Sequence, residues 1–275
     1  VMITFSLVSG GTSVAALFMA GYIPGALWAL ACMLVVYIYA KKFGYRSQTK
    51  LTGKEKINAF IQALPCLLLI IIVIGGIIAG VFTATEGSVV AVVYSLLLSI
   101  YGYKSMKWKD LPEIFRSSAE MTGIIIFLIG VSSIMSWVMA FTNIPTMVSN
   151  GLLSISSNKY VILLMINIIL LVVGTFMDMT PATLIFTPIF LPVCTALGMN
   201  TIHFGIMLIF NLCIGTITPP VGTTLFVGVK VGGVKIETVF KHLLPYFFAI
   251  IVVLMLVTYI PQLSLWLPGL MGYVS

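Results

Sequence analysis

The sequence predicts an all-α polytopic membrane protein with interrupted helices, and three observations lead to that prediction. Of 275 residues, 60% are hydrophobic and only 8% are charged, against about 25% charged residues in an ordinary soluble domain. Apolar runs of spanning length recur along the chain, and two are broken by Pro, Thr and Gly. A Gly-Gly pattern near the start recurs near the end. This composition excludes a soluble enzyme, a nucleic-acid binder and a disordered tail.

Basic residues predict how the first spans are oriented. The net charge of +7 is attributed to cytoplasmic loops that hold the topology, rather than to nucleic-acid binding. Loops 41–56 and 104–120 carry most of the basic residues and are expected in the cytoplasm. Two spans, at 61–82 and 88–103, lie between these loops. An even number of spans is required if both loops are on the same side of the membrane.

The remaining spans follow from the same rule. The span at 121–141 leads outward, and the uncharged segment 143–158 is expected outside the membrane. Segment 203–229 then crosses inward, and the run at 245–268 crosses outward as one span.

A polar cluster divides segment 160–198 into two apolar arms. Its residues are Thr175, Met177, Asp178, Met179, Thr180 and Pro181. We favour a re-entrant hairpin that enters from outside and turns near the midplane, where unwound backbone must line a cavity or be buried in protein. Freed carbonyls there suit a hard cation such as Na⁺. Alternatively, two full crossings meet in a surface loop, with Asp178 and Pro181 as N-cap and first-turn residues.

A second break interrupts segment 203–229. Its residues are Gly215, Thr218, Pro219, Pro220 and Gly222, followed by Thr223 and Thr224. The two prolines remove successive amide donors, so carbonyls are freed in mid-membrane and Thr hydroxyls can add ligands. The alternative is a kinked helix whose Thr side chains satisfy its own backbone.

The other candidate groups are structural. Glu86 and Asp178 are the only acids outside the predicted cytoplasmic segments, and Glu86 falls at a turn where helix capping is ordinary. No cofactor motif, metal-ligand spacing or nucleophile-and-base set is found, so an enzyme is not expected.

The Gly-Gly pattern predicts an internal repeat. In both copies Gly-Gly is followed at the same distance by Phe, and then by Pro before an apolar span, at Gly10-Gly11 and Gly232-Gly233. The two copies have opposite predicted orientation, and inverted repeats with broken helices are typical of secondary transporters. Most of the first repeat is then expected upstream of this sequence.

At these motifs the chain resembles the large membrane subunit of TRAP (tripartite ATP-independent periplasmic) transporters. Four strings carry the resemblance: Ala20 to Gly25, Gly80 to Glu86, Gly174 to Pro192 and Ile214 to Gly222. It implies an elevator-type, Na⁺-coupled importer in the bacterial inner membrane. Each inverted repeat supplies a re-entrant hairpin and a broken helix, and Na⁺ sits where they meet. A periplasmic binding protein delivers a small organic acid, and a small membrane subunit braces the scaffold.

Carried onto this chain, the resemblance assigns residues 1–56 to the tail of the first repeat and its connecting loop, and 57–275 to the second repeat. The second repeat then comprises scaffold spans 61–103, transport-core elements 121–229, and an arm and scaffold span at 234–268. The two breaks become a Na⁺ site with no other cofactor, and Thr183, Thr223 and Thr224 become substrate-side residues. The substrate is expected to be a C4-dicarboxylate, sialic acid or sugar acid. Two alternatives stay open: a carrier that works without a binding protein, and a non-transporting membrane scaffold.

Overall fold

A computed structural model describes residues 1–44, 52–156, 158–219 and 222–273, and in these the regular elements are helices. The α-helices are α1 (Met2–Val8), α2 (Val14–Phe43), α3 (Gly53–Ile78), α4 (Ala84–Leu97), α5 (Leu111–Phe141), α6 (Ile144–Ile155), α7 (Lys159–Phe176), α8 (Met179–Ala196), α9 (Thr201–Thr216), α10 (Thr223–Gly232), α11 (Ile236–Tyr259) and α12 (Gln262–Leu270). Within the described residues, seven helical segments are long and apolar enough to cross a membrane. The all-α polytopic prediction is confirmed.

The contacts divide the chain into two compact units, Val1–Lys42 with Leu128–Ser275, and Phe43–Phe127. In the first unit α9 is the central helix, and all but two of its 16 residues are buried. A helix that is hydrophobic on every side belongs in the interior, and α9 accordingly packs against α1, α7, α8, α11 and α12. The Phe5 ring lies over Gly205, where a methyl group would come within 2.6 Å of it.

The second unit is built around the pair α3 and α4. The Phe82 ring covers Gly76, so a side chain at this position would require the ring to move. The Tyr94 hydroxyl donates to the Pro65 carbonyl at 2.9 Å. The turn into α4 is a reciprocal capping box between Thr83 and Glu86. The Glu86 Oε2 accepts from the Thr83 amide at 2.8 Å, and the Glu86 amide donates to the Thr83 hydroxyl at 3.2 Å. Glu86 therefore has the capping geometry that its position predicts.

Two segments of the first unit differ in detail from the sequence expectation. Segment 143–158 was expected outside the membrane without a helix of its own, and α6 occupies most of it; Asn143 precedes α6 in the left-handed conformation, and Leu152 is buried in the core. The crossing expected over 245–268 corresponds to α11, which begins at Ile236 and ends at Tyr259. Pro261 explains that end, since a proline disfavours helical geometry in the residue before it.

The two Gly-Gly sites share a local structure. Gly11 (φ +90°) precedes α2 by three residues, and Gly233 (φ +61°) precedes α11 by three residues. A short helix comes before each site, and each following helix contains a proline, Pro24 or Pro245. The repeat, its inverted orientation and the boundary at 56/57 stay predictions.

Candidate functional site

The hairpin tip between α7 and α8 is very short. Only Met177 and Asp178 lie outside the helices, both with extended backbone. Met179, Thr180 and Pro181 form the first turn of α8 instead of an unwound segment, which corrects the longer break expected from the sequence. Pro181 fits there because the first amides of a helix have no partner within it.

The second break is longer. α9 ends at Thr216 and α10 begins at Thr223, while Pro220 lies outside the described residues. Gly222 lies close to the backbone that follows α9. A methyl group on Gly222 (φ +41°) would lie 2.9 Å from the Thr218 carbonyl oxygen and 3.3 Å from that of Thr216. Only glycine can bring its backbone this close to both carbonyls without strain.

The structure brings the two breaks together. A methyl group on Gly215 would lie 2.5 Å from the Gly174 Cα and 2.7 Å from its carbonyl oxygen, so the ends of α7 and α9 touch through their backbones. Nearby, the Cys213 Sγ lies 3.5 Å from the Met179 Sδ. Gly174 and Gly215, which are 41 positions apart in the sequence, thus meet at one place.

Three threonines at this place are oriented by bonds to their own helices. The hydroxyls of Thr175, Thr216 and Thr218 donate to the carbonyls of Val172, Cys213 and Ile214 at 2.7–2.8 Å. Such bonds use the single hydroxyl hydrogen and leave oxygen lone pairs for another ligand. Sequence reasoning predicted Thr175 and Thr218 as ligands and omitted Thr216, although its hydroxyl has the same arrangement.

The remaining predicted positions differ in what they offer. Asp178 is exposed and occupies the N-cap position of α8. Thr183 is fully buried and donates to the Met179 carbonyl at 2.8 Å, whereas Thr224 is exposed at the start of α10. The Thr223 side chain lies outside the described residues. Among the described residues there is no group of three or more His, Cys, Asp or Glu side chains that could hold a metal ion, so a cation here would need carbonyl and hydroxyl oxygens.

A buried amide network was not predicted from the sequence. The Asn211 side-chain amide donates to the Asn167 carbonyl and to its Oδ1 at 3.0 and 2.8 Å. The Asn167 amide in turn donates to the Thr258 hydroxyl at 3.1 Å. These bonds join α7, α9 and α11 away from solvent, and polar side chains within membrane helices were the signal that could have found them.

Comparison with known proteins identifies the family. The sequence-family model for the DctM component of the tripartite ATP-independent periplasmic transporter matches residues 1–263 of this chain. This chain belongs to that family. YgiK of Salmonella typhimurium is 52% identical over 98% of this chain and 62% of its own length. The sialic acid TRAP transporter large permease protein SiaM of Vibrio cholerae is 36% identical over 99% of this chain and 64% of its own.

A third relative is the C4-dicarboxylate TRAP transporter large permease protein DctM of Pseudomonas aeruginosa, 36% identical over 95% of this chain and 61% of its own length. The chain spans about three-fifths of the length of these curated relatives. Family membership together with the seven candidate spans in the described residues identifies a multi-pass membrane protein of a transporter family.

Proposed function

We propose that this chain supplies the second inverted repeat, with the tail of the first, to the membrane subunit of a Na⁺-coupled importer of small organic acids. The observation that supports this most strongly is the backbone contact between Gly174 and Gly215. It joins the hairpin tip to the broken helix at the place where a coupling cation would bind. Alternating access by an elevator movement of the transport core belongs to the same proposal.

The C-terminal ends of two helices at this contact favour the binding of a cation. α7 and α9 both end here, and the last carbonyls of a helix have no partner within it and carry partial negative charge. The carbonyl oxygens of Gly174, Thr216 and Thr218 lie at this junction. Oxygen ligands without a cluster of acids are suited to a monovalent cation that must be released again. Na⁺ is therefore the proposed coupling ion, transported with the substrate.

The helix starts at the same junction favour an anion. α8 begins at Met179 and α10 at Thr223, and free amides at helix N-termini attract carboxylates. SiaM is named for sialic acid and DctM for C4-dicarboxylates, and both compounds carry carboxylates. We propose a substrate of this class, with Thr223 and Thr224 on its side of the junction and Thr183 holding the first turn of α8.

Helix lengths support a tip inside the bilayer. Four residues separate the end of α8 from the start of α9. The 16 residues of α9 extend about 24 Å, less than the hydrocarbon thickness of about 30 Å. Because its far end touches the tip, the tip lies within the membrane when the start of α9 lies at the outer surface. The two hairpin arms, α7 and α8, are each about 27 Å long and are also long and apolar enough to span a membrane. Two full crossings are therefore the competing topology.

The proposed partners are a small membrane subunit and a periplasmic substrate-binding protein, in a bacterial inner membrane. Uptake by the complete transporter in proteoliposomes, with and without the binding protein, tests this partnership. Full uptake without it would favour the alternative carrier. No uptake under any condition, with the protein folded and correctly inserted, would favour the non-transporting scaffold.

The coupling proposal is tested by Thr180→Ala combined with Thr218→Ala in the complete transporter. We expect a higher Na⁺ concentration for half-maximal uptake, because two oxygens at the junction are lost. Thr195→Ala is the matched control, since Thr195 is exposed at the other end of α8. An unchanged Na⁺ response in the double variant, at normal expression, would contradict the site assignment.

A further inference from the structure

A groove with apolar walls lies between α2 and α11. It encloses about 570 Å³, within the range of about 300–1,000 Å³ that is typical of ligand pockets. Val35 and Val253 are buried at its base, while Leu34, Ile38 and Phe248 stand exposed along it. None of its lining residues belongs to the hairpin or to the broken helix. The groove is thus separate from the proposed transport site.

Three lysines continue the same two helix faces beyond one end of the groove, together with one acid, Glu237, four residues before Lys241 on α11. On α2, Lys41 and Lys42 follow Ile38 by three and four residues, so they extend the groove-facing side. On α11, Lys241 precedes Pro245, another lining residue, by four residues. Lys41 and Lys241 are exposed. Because α2 ends and α11 begins on the predicted cytoplasmic side, these cations lie at the same membrane surface.

We propose that the α2–α11 groove binds an anionic phospholipid of the cytoplasmic leaflet. An acyl chain lies along Leu34, Ile38 and Phe248, and the phosphate lies beside Lys41 and Lys241. Basic sites between membrane helices on the cytoplasmic side bind anionic head groups in this way. A partner helix gains close packing from small residues and interhelical hydrogen bonds, and it would gain nothing specific from lysines at the end of the groove. The charge therefore favours the lipid over a protein.

The site is tested by lipid titration of the detergent-purified complete transporter, measured by native mass spectrometry. The probes are phosphatidylglycerol and phosphatidylcholine with identical acyl chains, so that they differ only in the head group. Lys41→Gln with Lys241→Gln should weaken phosphatidylglycerol binding by about fivefold for each lysine neutralised and leave phosphatidylcholine binding unchanged. Lys109→Gln is the matched control, because it removes an exposed lysine from a predicted cytoplasmic loop far along the chain from the groove.

A second variant tests the acyl-chain part. Ala249→Trp places an indole in the groove and should lower the binding of both lipids, whereas Val93→Trp on the exposed face of α4 should change neither. Full phosphatidylglycerol preference in the double lysine variant would overturn the proposal. Unchanged lipid binding in the Ala249→Trp variant would also overturn the proposal. Release of another subunit by this variant, with lipid binding unchanged, would identify the groove as a protein interface.

Discussion

Gly174 and Gly215 pack backbone against backbone, and this contact closes the hairpin tip onto the end of α9. A methyl group on Gly215 would lie only 2.5 Å from the Gly174 Cα, which leaves no room for it, and one on Gly174 would lie 3.1 Å from the Gly215 Cα, which is a tight contact. Small residues of this kind let membrane helices approach closely. The arrangement of oxygens proposed for Na⁺ therefore depends on two positions that offer no ligand side chain themselves.

Gly215→Ala should destabilise the protein and abolish coupled uptake. The added methyl group meets backbone and not a movable side chain, and such overpacking costs about 1–3 kcal/mol. The measurement is thermal unfolding in detergent together with Na⁺-dependent uptake by the complete transporter.

Gly123→Ala is the control for that substitution. Gly123 is helical and has open space around the position of a methyl group, so alanine should be neutral or slightly stabilising. A Gly215→Ala protein with normal stability and normal Na⁺ dependence would show that the close contact is not required.

The buried amides should behave as one coupled unit. Asn167→Leu and Asn211→Leu each leave the other amide with fewer partners, which costs about 1–3 kcal/mol for a buried group. The double substitution should lower the free energy of unfolding by less than the sum of the two single substitutions, and the difference should be about 0.6–1.7 kcal/mol. A double-mutant cycle on unfolding in detergent measures this difference.

Additive effects in that cycle would contradict a network. Asn158→Ala is the matched comparison, because Asn158 is an exposed cap of α7 that bonds the Tyr160 amide. Its effect should be that of a lost helix cap and should add independently to that of Asn211→Leu.

Local sequence signals predict the two breaks, whereas the expectation that the breaks meet comes only from the family resemblance. Asp178, Pro181, Pro219 and Gly222 are local signals for helix ends, and the breaks fall where those residues are. The meeting of Gly174 with Gly215 depends on how α7 packs against α9, which no local pattern contains. The same limit applies to Asn167 and Asn211, which are lone amides within apolar runs until packing pairs them.

The two segments that differ in detail do so for different reasons. α6 was not predicted because its 12 residues are too short for a span and carry no charge. The end of α11 was missed because the apolar run continues to 268 and outweighed the one local signal, Pro261. Hydropathy describes where a chain can enter a membrane, and it does not describe where a helix stops.

The cap at the start of α4 should prove structural. Thr83→Ala removes the acceptor of the Glu86 amide and should destabilise the protein by about 0.5–2 kcal/mol. Glu86→Gln keeps the reciprocal arrangement, because glutamine serves in the same capping box. It should therefore retain Na⁺-dependent uptake in proteoliposomes. A loss of Na⁺ dependence in Glu86→Gln, with stability unchanged, would instead make Glu86 part of the transport site.

Thiol accessibility at the hairpin tip separates the two topologies of α7 and α8. Thr180 is half-buried in the first turn of α8, next to the proposed cation site. Thr180→Cys is introduced into the complete transporter without native cysteines, since Cys213 lies against Met179. If the tip is re-entrant and closes around the cation, Na⁺ should suppress labelling by a membrane-impermeant maleimide, while Thr195→Cys at the exposed end of α8 should label equally with and without Na⁺. Rapid labelling of Thr180→Cys that ignores Na⁺ would place the tip in an aqueous surface loop. That result would favour two full crossings and remove the physical basis for a cation site between Gly174 and Gly215.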